Sequence, residues 1–484
     1  AQGSYKVVFE GPEHAAITEM KTLDEGGFVV SKSNFYPSNI TTCDVYTFNN
    51  DDPDDTLHWN LNLDRQDTSL YVAQINRIDE GYILVGAGDH YIQTDTVLII
   101  SRFNWMMHLD SDKNVVWEKF YLLPDEVSEA SVIRYLNLLK LKTGNYLVAE
   151  TVENETNNSI VNMLLFEIDF EGNIVKSRLF EKQFGGYVMS LTYNHDSTSV
   201  LLHVGWWLLY DCSGGIGALI LNTETYDTEG YTCYGIGGND FNIPYDAMIH
   251  PNGDLIVAGT YTKVVNRDLQ HYLGIKKFDT DFQIEKEIFL TNPDTMIYAA
   301  WSNCLDINAE GDICVVGSFD NALGFFTDYY DLVYIAKLDP NLNLLSERYI
   351  GRDAEYTVFC MTATSDGGIA VGGYQYDYLV NHDQEGDPFI IKTDAGLWLD
   401  VPQLKEENVH RALVYPNPGN NELNIRTTVT DAVFRLYNLN GTLLIEQPVN
   451  QLITSLITSS LPQGAYMWTL LKQGQIIDKG KWIK

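Results

Sequence analysis

The sequence predicts an all-β chain: a seven-bladed β-propeller followed by a small immunoglobulin-like β-sandwich. Three observations predict it. A turn-plus-strand unit recurs seven times at a nearly constant interval, and no helical period competes with it. Each copy carries the strands and turns of a four-stranded antiparallel sheet. The pattern then changes after Asp400.

The unit is clearest at Ser365-Asp-Gly-Gly-Ile-Ala-Val-Gly-Gly373, where an Asp-Gly-Gly turn opens a short apolar strand that ends in small residues. The same unit begins at Asp24-Glu-Gly-Gly, Asp79-Glu-Gly, Lys142-Thr-Gly, Asn252-Gly-Asp and Glu310-Gly-Asp, with a degenerate copy at Asp196-Ser-Thr. Positions 26, 81, 144, 197, 253, 311 and 367 are spaced by 55, 63, 53, 56, 58 and 56 residues. Glycine suits a hairpin turn that places a residue at positive φ. The preceding Asp or Asn can bond its own turn backbone.

A second turn follows each strand pair, as in Leu338-Asp-Pro-Asn-Leu342, Leu109-Asp-Ser-Asp-Lys113, Ile168-Asp-Phe-Glu-Gly172, Phe278-Asp-Thr-Asp-Phe282 and Thr393-Asp-Ala-Gly396. Charged strands such as Val116-Trp-Glu-Lys-Phe120 and Ser346-Glu-Arg-Tyr349 then suit an exposed outer edge. An apolar strand before each glycine turn, such as Val358-Phe-Cys-Met-Thr362, completes four strands per repeat. The seventh copy runs out near Trp398-Leu-Asp-Val401 without an outer strand, while the chain starts with a spare one, Tyr5-Lys-Val-Val-Phe9. The N-terminal strand is therefore expected to close the last blade. Residues 1–400 resemble the secreted repeat propellers whose blades read DGGxxVxG and KLDxxG, a resemblance specific for fold and not for activity.

Residues 401–411 are polar and read as a linker. Residues 412–484 carry short alternating strands, among them Val433-Phe-Arg-Leu-Tyr437 and Ala465-Tyr-Met-Trp-Thr-Leu470, and suit a β-sandwich. Four motifs stand in order there: Tyr415-Pro416-Asn417-Pro418; Leu436-Tyr-Asn-Leu-Asn-Gly441; Leu461-Pro-Gln-Gly464-Ala-Tyr466; and Lys479-Gly-Lys481-Trp-Ile-Lys484. Together they resemble the type A C-terminal sorting domain of the type IX secretion system of Bacteroidetes. Ala465 departs from the Ile or Val usual between that family's Gly and Tyr. The resemblance implies the type IX machinery as a partner and export across the outer membrane. It also implies a secreted or cell-surface protein, with removal of the sorting domain and surface attachment of the remainder as expected steps. The start at Ala1-Gln2-Gly3, without Met, agrees with a mature end left by a signal peptide.

Acidic residues outnumber basic ones by 66 to 31, a formal net charge of −35, which repels a phosphate backbone and argues against nucleic acid as a partner. The densest run, Asp51-Asp-Pro-Asp-Asp55, reads as a solvated loop ahead of a cation site. No apolar run reaches the roughly 18 residues of a membrane span. Six cysteines are too few to be the scaffold. Cys212 with Cys233 is the first candidate disulfide and Cys304 with Cys314 the second; Cys43 and Cys360 have no obvious partner, and buried free thiols are the alternative for all six. No zinc spacing occurs, and no cofactor or metal is expected. Asp110-Ser-Asp-Lys-Asn114 has the start of a calcium-loop spacing but lacks the later Gly and Glu, so a plain turn is expected there.

A propeller collects its loops between second and third strands on one face. Here these stretches are rich in aromatics beside carboxylates, which supply flat apolar faces and acceptors to a sugar or a protein surface. The candidate ligand-binding residues are Tyr36, Tyr91, Trp206, Trp207, Tyr261, Phe325, Tyr329, Tyr374 and Tyr376. The competing reading is that these rings pack the loops down. Trp206 and Trp207 are adjacent, so on a strand only one of them faces a ligand. No Gly-x-Ser-x-Gly or His-Glu-x-x-His motif occurs, and no pair of carboxylates stands out as catalytic. The expectation is a binding or adhesion protein that recognises glycan or protein. A polysaccharide hydrolase or lyase is the second reading, and a structural surface-layer or filament subunit the third.

Overall fold

The computed structural model describes residues 4–10, 14–23, 26–35, 41–51, 56–59, 68–78, 81–93, 98–124, 131–154, 161–180, 187–205, 217–234, 242–265, 268–290, 296–319, 332–351, 353–376, 386–399, 412–415, 419, 421–427, 431–450, 453–472 and 474–484. They fall into two compact units, Ala1–Val401 and Pro402–Lys484. The described residues contain only strands, turns and irregular segments, and no helix among them is long and apolar enough to cross a membrane.

The first unit holds seven antiparallel sheets among the described residues, in which strands consecutive in sequence pair from the centre outward, except at the inner strand of the sixth and the outermost strand of the seventh. Blade 1 is β2 (His14–Thr22), β3 (Phe28–Phe35), β4 (Thr41–Phe48) and β5 (Thr56–Trp59). Blade 2 is β6 (Thr68–Ile78), β7 (Gly81–Gln93), β8 (Leu98–Asp110) and β9 (Val115–Leu122). Blade 3 is β10 (Ser131–Lys140), β11 (Tyr146–Asn154), β12 (Val161–Ile168) and β13 (Ile174–Phe180). Blade 4 is β14 (Tyr187–Tyr193), β15 (Ser199–Gly205), β16 (Gly217–Asn222) and β17 (Thr228–Cys233). Blade 5 is β18 (Asn242–Ile249), β19 (Leu255–Val265), β20 (Asp268–Phe278) and β21 (Ile284–Leu290). In blade 6 the innermost strand is broken into β22 (Ile297–Ala299) and β23 (Leu305–Ile307), both paired with β24 (Ile313–Phe319), and then follow β25 (Leu332–Leu338) and β26 (Leu344–Gly351). Blade 7 is β27 (Glu355–Ala363), β28 (Ile369–Tyr376) and β29 (Asp387–Lys392), and its fourth strand is β1 (Tyr5–Val8). Tyr5 lies opposite Lys392 and Val8 opposite Phe389. The innermost strands pack in a closed ring, β2 against β6 and so on round to β27, which returns to β2.

The turn chemistry explains the period. Every one of the seven turn positions has positive φ, from Gly26 to Gly367, and Gly253 shows why glycine is favoured. Its φ is +100°, and a Cβ there would sit 2.2 Å from the His195 ring. Ser197 takes the same turn in blade 4 without being glycine, at φ +56°. Ser197→Gly is expected to stabilise the chain by about 0.5–1 kcal/mol, because an L side chain in this region is strained. A lower melting temperature for the variant would refute this account of the turn.

The outer turns are closed by side chains. Asp110, Asp169, Asp279, Asp339 and Asp394 each accept the backbone N–H four residues on, at 2.7–2.8 Å. The Asp110 carboxylate also accepts the Asn114 side-chain amide, which holds its pKa below the ordinary value. The Asp110–Asn114 segment is thus a self-closed turn.

Strands in the blade interior are buried along both faces, as in β15 and β25. Cys43, Cys304, Cys314 and Cys360 are buried free thiols, whereas Cys233 is disulfide-bonded. Cys212 lies outside the described residues. The expected Cys304–Cys314 pair does not form. Cys314 stands opposite Asp306, and Cys304 accepts the Val316 N–H with its carbonyl, so the two thiols are two residues out of register.

The second unit has a three-stranded sheet, β30 (Leu413–Tyr415), β31 (Glu422–Arg426) and β34 (Ile453–Ile457). A four-stranded sheet runs β33 (Leu443–Val449), β32 (Ala432–Tyr437), β35 (Ala465–Lys472) and β36 (Gln475–Ile483). Their inner faces share one core, with Leu423, Ile425 and Leu456 against Phe434, Leu436, Trp468 and Trp482.

Candidate functional site

The innermost strands depart from regular pairing in the same place. Register shifts fall between Ile17 and Glu19, Val72 and Gln74, Arg134 and Asn137, Val188 and Ser190, Pro244 and Asp246, and Val358 and Cys360. Blade 6 breaks there altogether, between β22 and β23. Such bulges bend a strand and re-aim its next side chain. The residues that follow are Glu19, Gln74, Asn137, Ser190, Asp246 and Cys360, with Cys304 at the equivalent place in blade 6. Each stands seven positions before the turn residue of its own repeat (19 to 26, 74 to 81, 137 to 144, 190 to 197, 246 to 253, 304 to 311, 360 to 367).

Where this belt position carries a donor, it reaches the next blade. Gln74 Nε2 donates to Asn137 Oδ1 at 3.3 Å, and its Oε1 accepts the Leu138 N–H at 2.9 Å. Asn137 Nδ2 donates to the Val188 carbonyl at 3.1 Å, and Ser190 Oγ to that of Ala247 at 3.3 Å. The Cys360 thiol points to the Ile17 carbonyl at 3.8 Å. Glu19 and Asp246 place carboxyls in the same belt.

The belt residues Glu19, Gln74, Asn137, Ser190 and Asp246 face a cavity of about 700 Å³ whose wall comes largely from the innermost strands. Glu19, Lys21, Gln74, Asn137, Thr192 and Asp246 line it, and Trp301 sits at its side. Trp301 is 38% exposed and stacks on Phe359 with ring centroids 6.3 Å apart. At one end, His195 Nδ1 lies 3.0 Å from the Gly253 carbonyl. Asp306 is anchored near the wall: Oδ2 accepts Thr362 Oγ1 at 3.0 Å and the Ala363 N–H at 2.8 Å.

Burial governs the charges here. It pushes the Glu19 carboxyl up to about 8; Lys21 opposes the shift and Asp246 and Asp306 add to it. Burial likewise lifts Asp246 to about 7, against the Ala247 N–H and Lys21. Both carboxyls therefore hold or share a proton near neutral pH, so each can act as donor or acceptor.

The residues expected from sequence to bind ligand are distributed differently. Tyr36, Trp206, Trp207, Phe325 and Tyr329 lie outside the described residues. Tyr91 falls within β7, opposite Ile100, and only its backbone is described. Tyr261, Tyr374 and Tyr376 belong to strands β19 and β28, not to loops, because pairing continues past the glycines that close the apolar runs. Their side chains are buried at 3%, 1% and 5% exposure. Tyr261 packs edge-on against Phe289 and under the Lys276 ammonium, and Tyr374 packs edge-on against His14 of blade 1. In these three the rings pack the interior, which corrects the expectation of an open ring face. Sequence reasoning missed the belt acids; the fixed offset from each turn was the signal that could have found them.

In the second unit Tyr415 lies in β30 opposite Asn424, and Pro416, Asn417 and Pro418 lie outside the described residues. Gly441 closes its turn by donating to the Asn438 carbonyl at 3.0 Å. Gly464 and Lys484 exchange backbone hydrogen bonds, and the Lys484 ammonium donates to the carbonyls of Thr458 at 2.7 Å and Leu461 at 2.6 Å. Tyr466 is buried and packs on Trp482, while Lys481 is exposed opposite Met467. Residues 413–484 match the family described as the secretion system C-terminal sorting domain. This unit is a type IX sorting domain. The protein is accordingly secreted or held at the cell surface, and the sorting domain implies interaction with the type IX machinery.

No curated protein matches the chain in sequence. Among solved structures the chain is similar to the Dos1 propeller, at 9% identity and a TM-score of 0.43, over 82% of this chain and 96% of that one. It is also similar to PorZ, a surface component of the type IX secretion system of Porphyromonas gingivalis, at 8% identity and a TM-score of 0.23, over 96% and 81% of the two chains. A third is an α-L-arabinanase of Penicillium chrysogenum complexed with arabinobiose, at 12% identity and a TM-score of 0.37, over 81% and 98%.

Proposed function

We propose that this protein is an exported recognition protein that takes a hydroxyl-rich ligand, a glycan, into the channel of its propeller. One observation carries the reading: a cavity of about 700 Å³ whose wall combines side-chain amides, hydroxyls and carboxyls with the open ring of Trp301. That volume is within the usual range for small-ligand sites. An exposed indole offers a flat face to sugar C–H groups, and the polar wall offers donors and acceptors to hydroxyls. In a glycan-array screen of the full chain, saturable binding to one sugar class is expected. Trp301→Ala should weaken that binding by about tenfold or more, the loss of one well-buried aromatic contact being worth at least 1 kcal/mol. Its melting temperature should stay near the parent value, since the ring is partly exposed. Unchanged affinity in the variant, or no binding to any glycan, would reject the channel as the site.

A second reading is a polysaccharide-active enzyme. It is favoured by one observation, that burial keeps the Glu19 carboxyl protonated near neutral pH, as the general acid of such an enzyme requires. Release of reducing ends from a bound glycan, abolished in Glu19→Gln, would select this reading over simple recognition.

A further inference from the structure

We propose that the channel recognises its ligand through a primary ammonium group, seated among the carboxyls of Glu19, Asp246 and Asp306. The inference rests on the channel being the binding site and adds the chemical group that it selects.

The geometry supports it in three ways. The wall carries two carboxyls, Glu19 of blade 1 and Asp246 of blade 5, against one lysine, Lys21, and Asp306 of blade 6 stands behind it, close enough to raise both. Asp306 and Asp246 already accept backbone or hydroxyl donors from the protein, through Ala363 and Thr362 for the first and Ala247 for the second. Glu19 does not. It is 6% exposed, lines the cavity, and accepts no hydrogen bond among the described residues, so its carboxyl faces the channel with acceptor sites left for a donor. No group of three His, Cys, Asp or Glu side chains among the described residues is close enough to hold a metal ion. An ammonium needs a wider cradle, since its three donors reach acceptors at about 2.8 Å where a small cation needs about 2.0–2.4 Å.

The other groups around Glu19 are accounted for. Its own strand contributes Lys21, β6 the neutral Gln74 and Asn76, β3 the hydroxyl of Ser31, β27 the Cys360 thiol, β18 Asp246 and β23 Asp306. Only Lys21 opposes an incoming cation. Burial leaves Glu19 and Asp246 holding protons near neutral pH. Seating an ammonium ion beside them favours the carboxylates, so each proton lost passes to the buffer and the ligand keeps its own. For an ammonium that stays protonated throughout, such as that of lysine, binding therefore releases protons and tightens as the pH rises from 6 toward 8; an amino sugar, whose amine itself loses its proton over this range, releases protons only at the acid end.

The test is calorimetric titration of the full chain with a glucosamine trimer, its fully N-acetylated counterpart and Nα-acetyl-lysine methylamide. Each is run at pH 6, 7 and 8 in two buffers of different ionisation enthalpy. At pH 6, where its amines are protonated, the glucosamine trimer should bind about tenfold tighter than the acetylated one, with proton release, since one pKa unit lost on binding corresponds to a factor of ten. Glu19→Gln should erase both the preference and most of the proton release; Asp246→Asn repeats the test if that variant does not fold. Binding of the lysine derivative with the same proton release also supports the proposal and points to a peptide source for the ammonium. Equal affinity for the two trimers without proton release overturns the ammonium proposal and leaves the glycan reading standing. Absence of binding by all three probes overturns the proposal, and the array screen then decides the glycan reading separately.

Discussion

Removal of residues 1–9 is expected to destabilise the propeller by about 5–7 kcal/mol, enough to open the ring at the seam between blades 7 and 1. The strand β1 does three things there. It pairs with β29 over Tyr5 to Val8, and the hydrogen bonds of such a ladder contribute about 1 kcal/mol each. It buries Tyr5, worth about 2 kcal/mol, and the Tyr5 hydroxyl donates to the Asn49 carbonyl of blade 1 at 2.7 Å. Phe9, just past the strand, packs on Tyr46 of blade 1 with ring centroids 5.2 Å apart. Lys6 adds an ion pair to Asp353 at 3.0 Å and a hydrogen bond to the Tyr356 hydroxyl. Asp353 is well exposed, so this ion pair contributes less than about 1 kcal/mol, and Lys6→Ala alone should do little. The truncation also leaves β29 as an open edge, which favours association. Circular dichroism melting and size-exclusion chromatography of the truncated full chain should show a lower melting temperature and soluble aggregates. A melting temperature within about 2 °C of the parent would mean that β1 does not hold the ring closed.

The parts of this architecture that could be read from sequence are those where the backbone constrains residue type. Positive φ at Gly26, Gly144, Gly253, Gly311 and Gly367 forces glycine or a strained substitute, so the turns recur visibly. The Asp of five outer turns recurs because its carboxylate closes the backbone four residues on. The channel was not legible by the same route. Alternation along an innermost strand assigns side chains to faces by parity, and a bulge at Thr18, Ala73 or Met189 inverts that parity midway. Glu19 and Asp246 then look like ordinary outward charges in apolar strands. Tyr261 and Tyr374 misled for a different reason. The small residues Gly259 and Gly373 read as strand ends, whereas they lie mid-ladder opposite Pro244 and Val358, and Gly373 has its Cβ position filled by the Thr357 carbonyl. Glycine there marks close backbone approach, not a loop.

Replacement of Glu150 by Gln is expected to stabilise the protein at pH 8 and to leave it nearly unchanged at pH 5. Glu150 is on β11 of blade 3 and is completely buried. Its Oε1 accepts Asn104 Nδ2 of blade 2 at 3.0 Å, and its Oε2 has no hydrogen-bond partner among the described residues. Burial pushes the carboxyl from an ordinary 4.5 up to about 8, and the Asn104 amide opposes that shift only in part. A pKa raised on folding means that the folded state holds a proton which the unfolded chain has lost. The associated stability is full below about 4.5 and disappears as the pH climbs to about 8. Glu19 and Asp246 act in the same direction, so the propeller should lose stability over this range, where carboxylates paired with cations would leave it steady. Gln keeps the shape and the acceptor for Asn104 without an ionisable group. The variant should therefore gain on the order of 2–4 kcal/mol over the parent between pH 5 and pH 8. Glu150→Leu should instead destabilise at every pH, because it strands the Asn104 amide without its acceptor. Melting curves at half-unit pH intervals measure all three proteins. Parallel curves for the parent and Glu150→Gln would show that the buried carboxyl is already ionised at pH 5, and that a charge partner stabilises it where the described residues supply the Asn104 amide alone.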